Sequence, residues 1–232
     1  MFANVTNTDT NEALQQLESD IAPRDATHIG NIFKNQALFK RVQAVVEEKP
    51  ALDGEHLILL EDTYRDFQRS GATLDDASRL EIAALDERLA TLKTTFSQNL
   101  LKDITQFELV INDETMLSGL PDEVIASARS EALQRDKEGS WVFTISRSSI
   151  TPFLQFSNNR DLREKLYSAY THASDNDNEY NNGKIISEIA SLRVKRANLL
   201  GFPSHAHYML DDRMAGTPGK VHQLLDQVWG PT

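Results

Sequence analysis

Leu85-Asp-Glu-Arg-Leu-Ala-Thr-Leu-Lys-Thr-Thr-Phe-Ser-Gln-Asn-Leu100 decides the fold class of this chain. Its apolar residues Leu85, Leu89, Leu92, Phe96 and Leu100 recur at steps of four, three, four and four. At 3.6 residues per turn, that spacing lines one face of an α-helix. Thr73 or Asp75 can cap the helix with a side-chain oxygen, and the pattern carries it to about Lys102. Just upstream, Asp53 opens a second helix carrying Leu57, Leu60, Tyr64 and Phe67, and Gly71 closes it. The short turn between the two predicts an antiparallel hairpin. Before them, residues 35–48 read as a shorter helix ended by Pro50.

Downstream, the helical period breaks and then returns. Residues 107–111 and 141–145 are short β-favouring runs, the second preceded by Gly139. Residues 149–156 read as a third extended piece, with Pro152 at an edge or bend. Residues 121–134 read as a helix with Pro121 in its first turn. Asn158 or Asn159 then caps a helix bearing Leu162, Leu166, Tyr167 and Tyr170. Ile185, Ile189, Leu192, Arg196 and Leu199 mark a long helix ended by Gly201 and Pro203. Thr217-Pro218 opens a final helix with Val221, Leu224, Leu225, Val228 and Trp229, stopped by Gly230-Pro231. The expected architecture is mainly α. It has antiparallel helix hairpins and a small inserted antiparallel β-sheet around residues 105–156. Three regions follow: a helical one at 1–104, a small α/β insertion at 105–156 and a second helical one at 157–232.

Composition narrows the function classes. The chain has 232 residues, enough for a real core, with 40% hydrophobic and 25% charged residues, as in globular proteins. A net charge of -11 argues against nucleic acid, which needs clustered Lys and Arg. No cysteine is present, so disulfides, thiolate metal sites and a cysteine nucleophile are excluded. No run approaches the roughly 20 apolar residues of a membrane span, and residues 1–20 have neither the apolar stretch nor the basic start of a signal peptide. The expectation is a cytoplasmic protein without membrane contact. Phe2-Ala-Asn-Val enters a structured pattern with almost no leader, and the chain stops just past the apolar helix ending in Trp229. Both ends therefore read as cuts.

The search for chemistry is mostly negative. Zinc hydrolases commonly use His-Glu-x-x-His, because i and i+4 place both imidazoles on one helix face and the Glu activates water. None of His28, His56, His172, His205, His207 or His222 is followed by Glu, and no two lie four apart. His205-Ala-His207 on a helix would point about 200° apart and reads as a helix start with surface or half-buried rings. Asp175-Asn-Asp-Asn-Glu179 resembles the front of a calcium loop, but Tyr180 and Ile186 stand where Gly and Glu are needed. A polar loop between helices is the reading there. Asp211-Asp-Arg213 and Asp161, Arg163, Glu164 and Lys165 read as solvated ion pairs. Phe153, Phe156, Tyr167 and Tyr170 could line a peptide groove, though core packing is the expected use. Serine elbows, phosphate loops and dinucleotide fingerprints are absent. No catalytic, cofactor-binding or metal residue is assigned.

Several blocks nevertheless resemble one family. Asn159-Arg-Asp-Leu-Arg-Glu-Lys-Leu-Tyr-Ser-Ala-Tyr170 and Asn176-Asp-Asn-Glu-Tyr-Asn-Asn182 are similar to blocks of the thimet oligopeptidase family of zinc metallopeptidases. Ile185 to Phe202, His205-Ala-His-Tyr208 and Asp212-Arg-Met-Ala-Gly-Thr-Pro218 continue the likeness, and residues 67–74, 85–99 and 119–125 precede it. Within the family the likeness is to the bacterial peptidyl-dipeptidases, or dipeptidyl carboxypeptidases. Thr171-His-Ala-Ser174 departs from the pattern, which has a basic residue and Gly there.

The resemblance implies a largely helical hydrolase that removes dipeptides from the C-termini of short peptides. Zinc is held by His-Glu-x-x-His and a downstream Glu, all in the C-terminal half. This chain lacks them, so it is expected to hold no cofactor and to be inactive in proteolysis alone. It would be an N-terminal fragment forming part of the substrate-channel lobe, with the missing C-terminal catalytic half as partner. Self-association through an exposed apolar face is a further expectation. The alternative is a stand-alone helical module that binds peptides or another protein without catalysis.

Overall fold

The computed structural model describes residues 12–230, so the reading of Phe2-Ala-Asn-Val lies outside the described residues. Among them are ten α-helices, one short 3-10 turn and one two-stranded sheet. They form two compact units: Met1–Asp86 with Arg193–Thr232, and Glu87–Leu192. The mainly helical architecture with a small antiparallel sheet is therefore the observed one.

In the first unit, α1 (Glu12–Lys34) is followed by α2 (Gln36–Glu48) and α3 (Gly54–Arg69). Asn35 caps α2 by accepting from the Leu38 N–H, and Asp53 caps α3 by accepting from the His56 N–H at 3.0 Å. That backbone donor, helped by the His56 ring, holds the Asp53 carboxyl below its ordinary pKa. Phe39 of α2 stacks on Tyr64 of α3 at 5.8 Å, and Phe33 meets Phe67 edge-on at 5.1 Å. The hairpin forms between α2 and α3, not principally between α3 and the next helix, as the sequence spacing predicted. These aromatic contacts decide the partner, and helical period alone carries no information about them. Only the end of helix α8 (Gly183–Leu199), from Arg193, belongs to this unit; it ends near Gly201 at φ 83, and α9 (His205–Leu210) and α10 (Pro218–Trp229) follow. Thr217 caps α10 with Pro218 in its first turn, as the dipeptide predicted.

The long helix α4 (Asp76–Gln106) starts at Asp75, which accepts from the Ser78 N–H at 2.7 Å. It runs one turn past the predicted end. Leu89 and Leu92 of its stripe pack with Ile185, Ile189 and Leu192 of α8, all in the second unit.

The core of that unit is built on the sheet. Strands β1 (Leu109–Ile111) and β2 (Trp141–Phe143) pair antiparallel, with Ile111 opposite Trp141 and Leu109 opposite Phe143. Helix α5 (Asp122–Gln134) lies between them in sequence and packs on β2. Pro121 is its N-cap, one position ahead of the first turn where the sequence put it. Residues 147–156 correct the sequence reading. They form α6 (Arg147–Phe156), not a third strand, and Pro152 sits inside it. Ile150 and Phe153, three apart, are both buried in the core, and the edge-on Phe143–Phe153 contact at 4.6 Å anchors the helix. One absent N–H is outweighed by that burial. After α6, α7 (Arg160–Thr171) starts at the Asn159 cap and buries Leu162 and Leu166. Gly119 joins this packing at φ 89, where a Cβ would run into the Phe156 carbonyl oxygen and the Asn158 side chain.

Candidate functional site

Three constructions in the molecule bring polar groups together, and each has a physical account. The first ties the loop between α7 and α8 to α4. Asp103 Oδ2 accepts from the Ser174 N–H at 2.6 Å and from Asn176 Nδ2 at 2.9 Å, and its Oδ1 accepts from Asn178 Nδ2 at 2.8 Å. Burial opposes ionisation of Asp103, but these three donors together hold its carboxyl below the ordinary value. Asn182, 1% exposed, donates to the Phe96 carbonyl and accepts from Asn99, both at 3.0 Å. Residues 175–182 are thus a polar loop, as read from the sequence. Asn176 and Asn178 offer amide N–H groups inward, which is the wrong polarity for a calcium ligand. Ser174 takes φ 59, the left-handed region that suits glycine.

The second construction is a cationic stack in the first unit. The Arg69 guanidinium lies 4.1 Å from the Tyr208 ring centroid and the Arg196 guanidinium 5.1 Å from it. Arg69 donates to the Tyr208 carbonyl at 2.9 Å and faces Asp211 and Asp212 at 3.7 and 3.9 Å. Arg196 pairs with Asp86 at 2.6 Å. Burial works against the Arg196 charge, but Asp86 outweighs it and raises the pKa. Sequence reasoning treated Asp211 and Asp212 as solvated charges. Both lie against a guanidinium only 14% exposed, a contact between residues far apart in the chain.

The third is a pocket of about 440 Å³ in the first unit, floored by Phe33, Ala72, Ile82 and Ala83. Asp76 and Arg79 pair at its edge, and Asp86 is held by Arg196. A smaller cavity of about 190 Å³ in the second unit is lined by Ser146, Ser148, Ser149, Glu123 and Glu131. Neither contains a histidine, so neither pairs a hydroxyl with an imidazole base.

The histidines are scattered. His56 Nδ1 meets Asp53 at 2.6 Å, His172 Nδ1 meets the Ser168 carbonyl at 2.8 Å and His207 Nδ1 meets the Ser204 hydroxyl at 2.8 Å. His205, half-buried, stacks on Tyr208 at 6.0 Å, and His28 and His222 are exposed. Among the described residues, no group of three or more His, Asp or Glu could hold a metal ion. Of the aromatics expected in the core, only Phe153 is there. Phe156, Tyr167 and Tyr170 are 42%, 57% and 46% exposed. The Tyr rings share a helix with buried Leu162 and Leu166, but they point outward, where their hydroxyls stay hydrated.

Comparison with known proteins supplies what local geometry does not. Residues 153–229 match the model of peptidase family M3. This part of the chain belongs to that family. Dipeptidyl carboxypeptidase of Escherichia coli is 33% identical over 231 residues, which cover 98% of this chain and 34% of that protein. Oligopeptidase A of Haemophilus influenzae is 34% identical over 173 residues, covering 73% of this chain and 25% of its own length. Saccharolysin of Saccharomyces cerevisiae is 26% identical over 232 residues, covering 93% and 31%. The chain spans about a quarter to a third of the length of these relatives. Family M3 peptidases depend on zinc, and the described residues do not fit that ion. No helix among them is long and apolar enough to cross a membrane.

Proposed function

We propose that this chain is a non-catalytic part of an M3 peptidase of the dipeptidyl carboxypeptidase type. It would build part of the wall of the substrate channel, while another polypeptide segment carries zinc and the water-activating Glu. The intact enzyme would release dipeptides from the C-termini of short peptides in the cytoplasm. One observation carries the reading: a collinear likeness over 98% of this chain falls on only 34% of the bacterial relative, and the described residues contain no metal-binding group. Zinc catalysis needs a preorganised set of ligands with an open position, and a collection of dispersed histidines cannot supply one.

Two measurements test this on the purified chain. Incubated with zinc and a short peptide, it should release no dipeptide, and equilibrium dialysis should show no stoichiometric zinc. Chelator-sensitive dipeptide release by the chain alone would overturn the reading. Co-expressed with the remaining two thirds of the Escherichia coli relative, it should co-purify with that polypeptide. Failure to associate would count against its role as a structural part.

A further inference from the structure

A surface cleft of about 310 Å³ in Glu87–Leu192 is lined by Leu154, Arg160, Arg163, Glu164 and Tyr167. The last four stand on α7 at i, i+3, i+4 and i+7, so they share one face. The sequence spacing suggested local ion pairs for Arg163 and Glu164. Among the described residues neither forms one, and Arg163 donates only to the Ser157 carbonyl. Arg160 and Glu164 are exposed and have no partner among the described residues. A base placed four residues before an acid is the weaker order for a helix ion pair, which agrees with their separation. The Tyr167 ring, 57% exposed, and Leu154 give the cleft an apolar side.

We propose that this cleft binds a free dipeptide, with its C-terminal carboxylate on Arg160 and Arg163 and its N-terminal ammonium on Glu164. The inference rests on the reading of the chain as part of an M3 peptidase that releases dipeptides, and adds which residues hold one. The chemistry of the cleft selects this occupant. Guanidinium groups match a carboxylate, whose two oxygens accept parallel N–H bonds. The opposite charge stands one helical turn from Arg160, a separation of about 6 Å between Cβ atoms. The terminal charges of an extended dipeptide are also about 6 Å apart, against about 2.5 Å in a single amino acid. An inorganic anion answers the two arginines but is repelled by Glu164. A hydrophobic second residue lies against Tyr167 and Leu154.

The test titrates the full chain with glycyl-phenylalanine and follows the backbone amides by NMR. Its N-acetyl form, its C-terminal amide and inorganic phosphate serve as comparisons. Glycyl-phenylalanine should bind in the millimolar range, with the shifts centred on the first two turns of α7. Blocking either end should weaken binding about fivefold, the most that an exposed ion pair contributes. Glu164→Gln should abolish the preference for the free amine and keep the preference for the free carboxylate. Arg160→Gln should do the reverse. Both side chains are exposed, and a loss of fold does not produce that exchange of preferences. Absence of saturable binding overturns the proposal, and so does equal binding of the blocked forms. Phosphate bound as tightly as the dipeptide overturns it too, in favour of a simple anion site. These outcomes leave the M3 reading standing, because co-purification with the rest of the relative tests that reading separately. Failed co-purification with dipeptide binding intact removes the M3 reading and supports the cleft as a dipeptide site by itself.

Discussion

The stretch Glu87–Leu192 and the other unit solve the problem of apolar surface differently. In Glu87–Leu192 one cluster gathers Ile111, Leu117, Phe143, Phe153, Leu166 and their neighbours, and Phe153 and Leu166 are fully buried. In the other unit the buried cluster among the described residues is only Phe39, Phe67 and Ala72, and the guanidinium groups of Arg69 and Arg196 stack on Tyr208. Ile58, Leu59, Leu80, Leu224 and Leu225 stay more than half exposed there. Glu87–Leu192 also leaves Leu101, Leu133 and Ile186 more than half exposed, so the units differ in the size of their buried cluster and not in having apolar residues in water. Periodicity says which side of a helix is apolar, but the covering surface has to be supplied by something else.

The largest test of that contrast is Phe153→Ala. Removing a fully buried ring that packs edge-on against Phe143 should cost about 3–5 kcal/mol, because a close-packed core only partly collapses into the space. Urea unfolding followed by circular dichroism would show the midpoint fall. A loss below about 1 kcal/mol would mean that the cluster is loosely packed and that the contrast between the units is false.

Asp103 comes next. Replacing it with Ala leaves the Ser174 N–H in a buried site without its acceptor, at a cost of about 1–3 kcal/mol. The pH dependence has a definite sign. The folded carboxyl titrates below its ordinary value of 3.8, so folding favours the ionised form. That contribution is complete above the unfolded pKa and is lost as pH falls through the folded one. Asp103→Asn should therefore lose less stability than the wild-type chain on acidification below about pH 4, as read from thermal midpoints across the acid range. Parallel acid profiles would show that the loop is not held by this charge.

How much was legible beforehand follows the same line. Caps at Asp53 and Thr217 were read correctly, and Asn159 was one of two candidates, because capping is a local event, set by one side chain and the N–H groups within its reach. The strands at 109–111 and 141–143 were also visible, since their β-favouring runs are bounded by turn residues. Residues 149–156 were misread because Pro152 dominates the local signal, whereas the burial of Ile150 and Phe153 is a tertiary fact. Asp103 and the Arg69–Tyr208–Arg196 stack were missed for the same reason. Their partners lie 71 and 139 residues away in the chain, and no spacing rule reaches that far. The stretch Thr171–Ser174 was read as a departure from the pattern it resembles, and the left-handed backbone at Ser174 is a physical cause for preferring glycine at that residue.

That cause can be tested by a substitution that should strengthen the protein. Ser174 is 4% exposed, holds φ 59 and has a buried hydroxyl with no partner among the described residues. Ser174→Gly removes the steric penalty of a side chain in that region and the unpaired hydroxyl, while the backbone N–H to Asp103 remains. Glycine loses more chain entropy on folding, which offsets part of the gain. The net expectation is a stabilisation of about 1 kcal/mol, seen as a higher urea midpoint. A lower midpoint would show that the hydroxyl is satisfied or that the loop depends on the stiffness of serine.

The smallest expected effect discriminates most sharply between the two kinds of surface. Leu225 lies on a helix with its own cap, and Ala is the better helix former, so Leu225→Ala should change stability by no more than about 0.5 kcal/mol. The same truncation at Leu166, fully buried in Glu87–Leu192, falls in the range of about 2–5 kcal/mol. A loss of about 2 kcal/mol at Leu225 in the isolated chain would mean that the α10 face is already packed in solution. The contrast between the buried Leu166 and the exposed Leu225 would then disappear. A near-zero change would show that Leu225 contributes little to the fold of this chain.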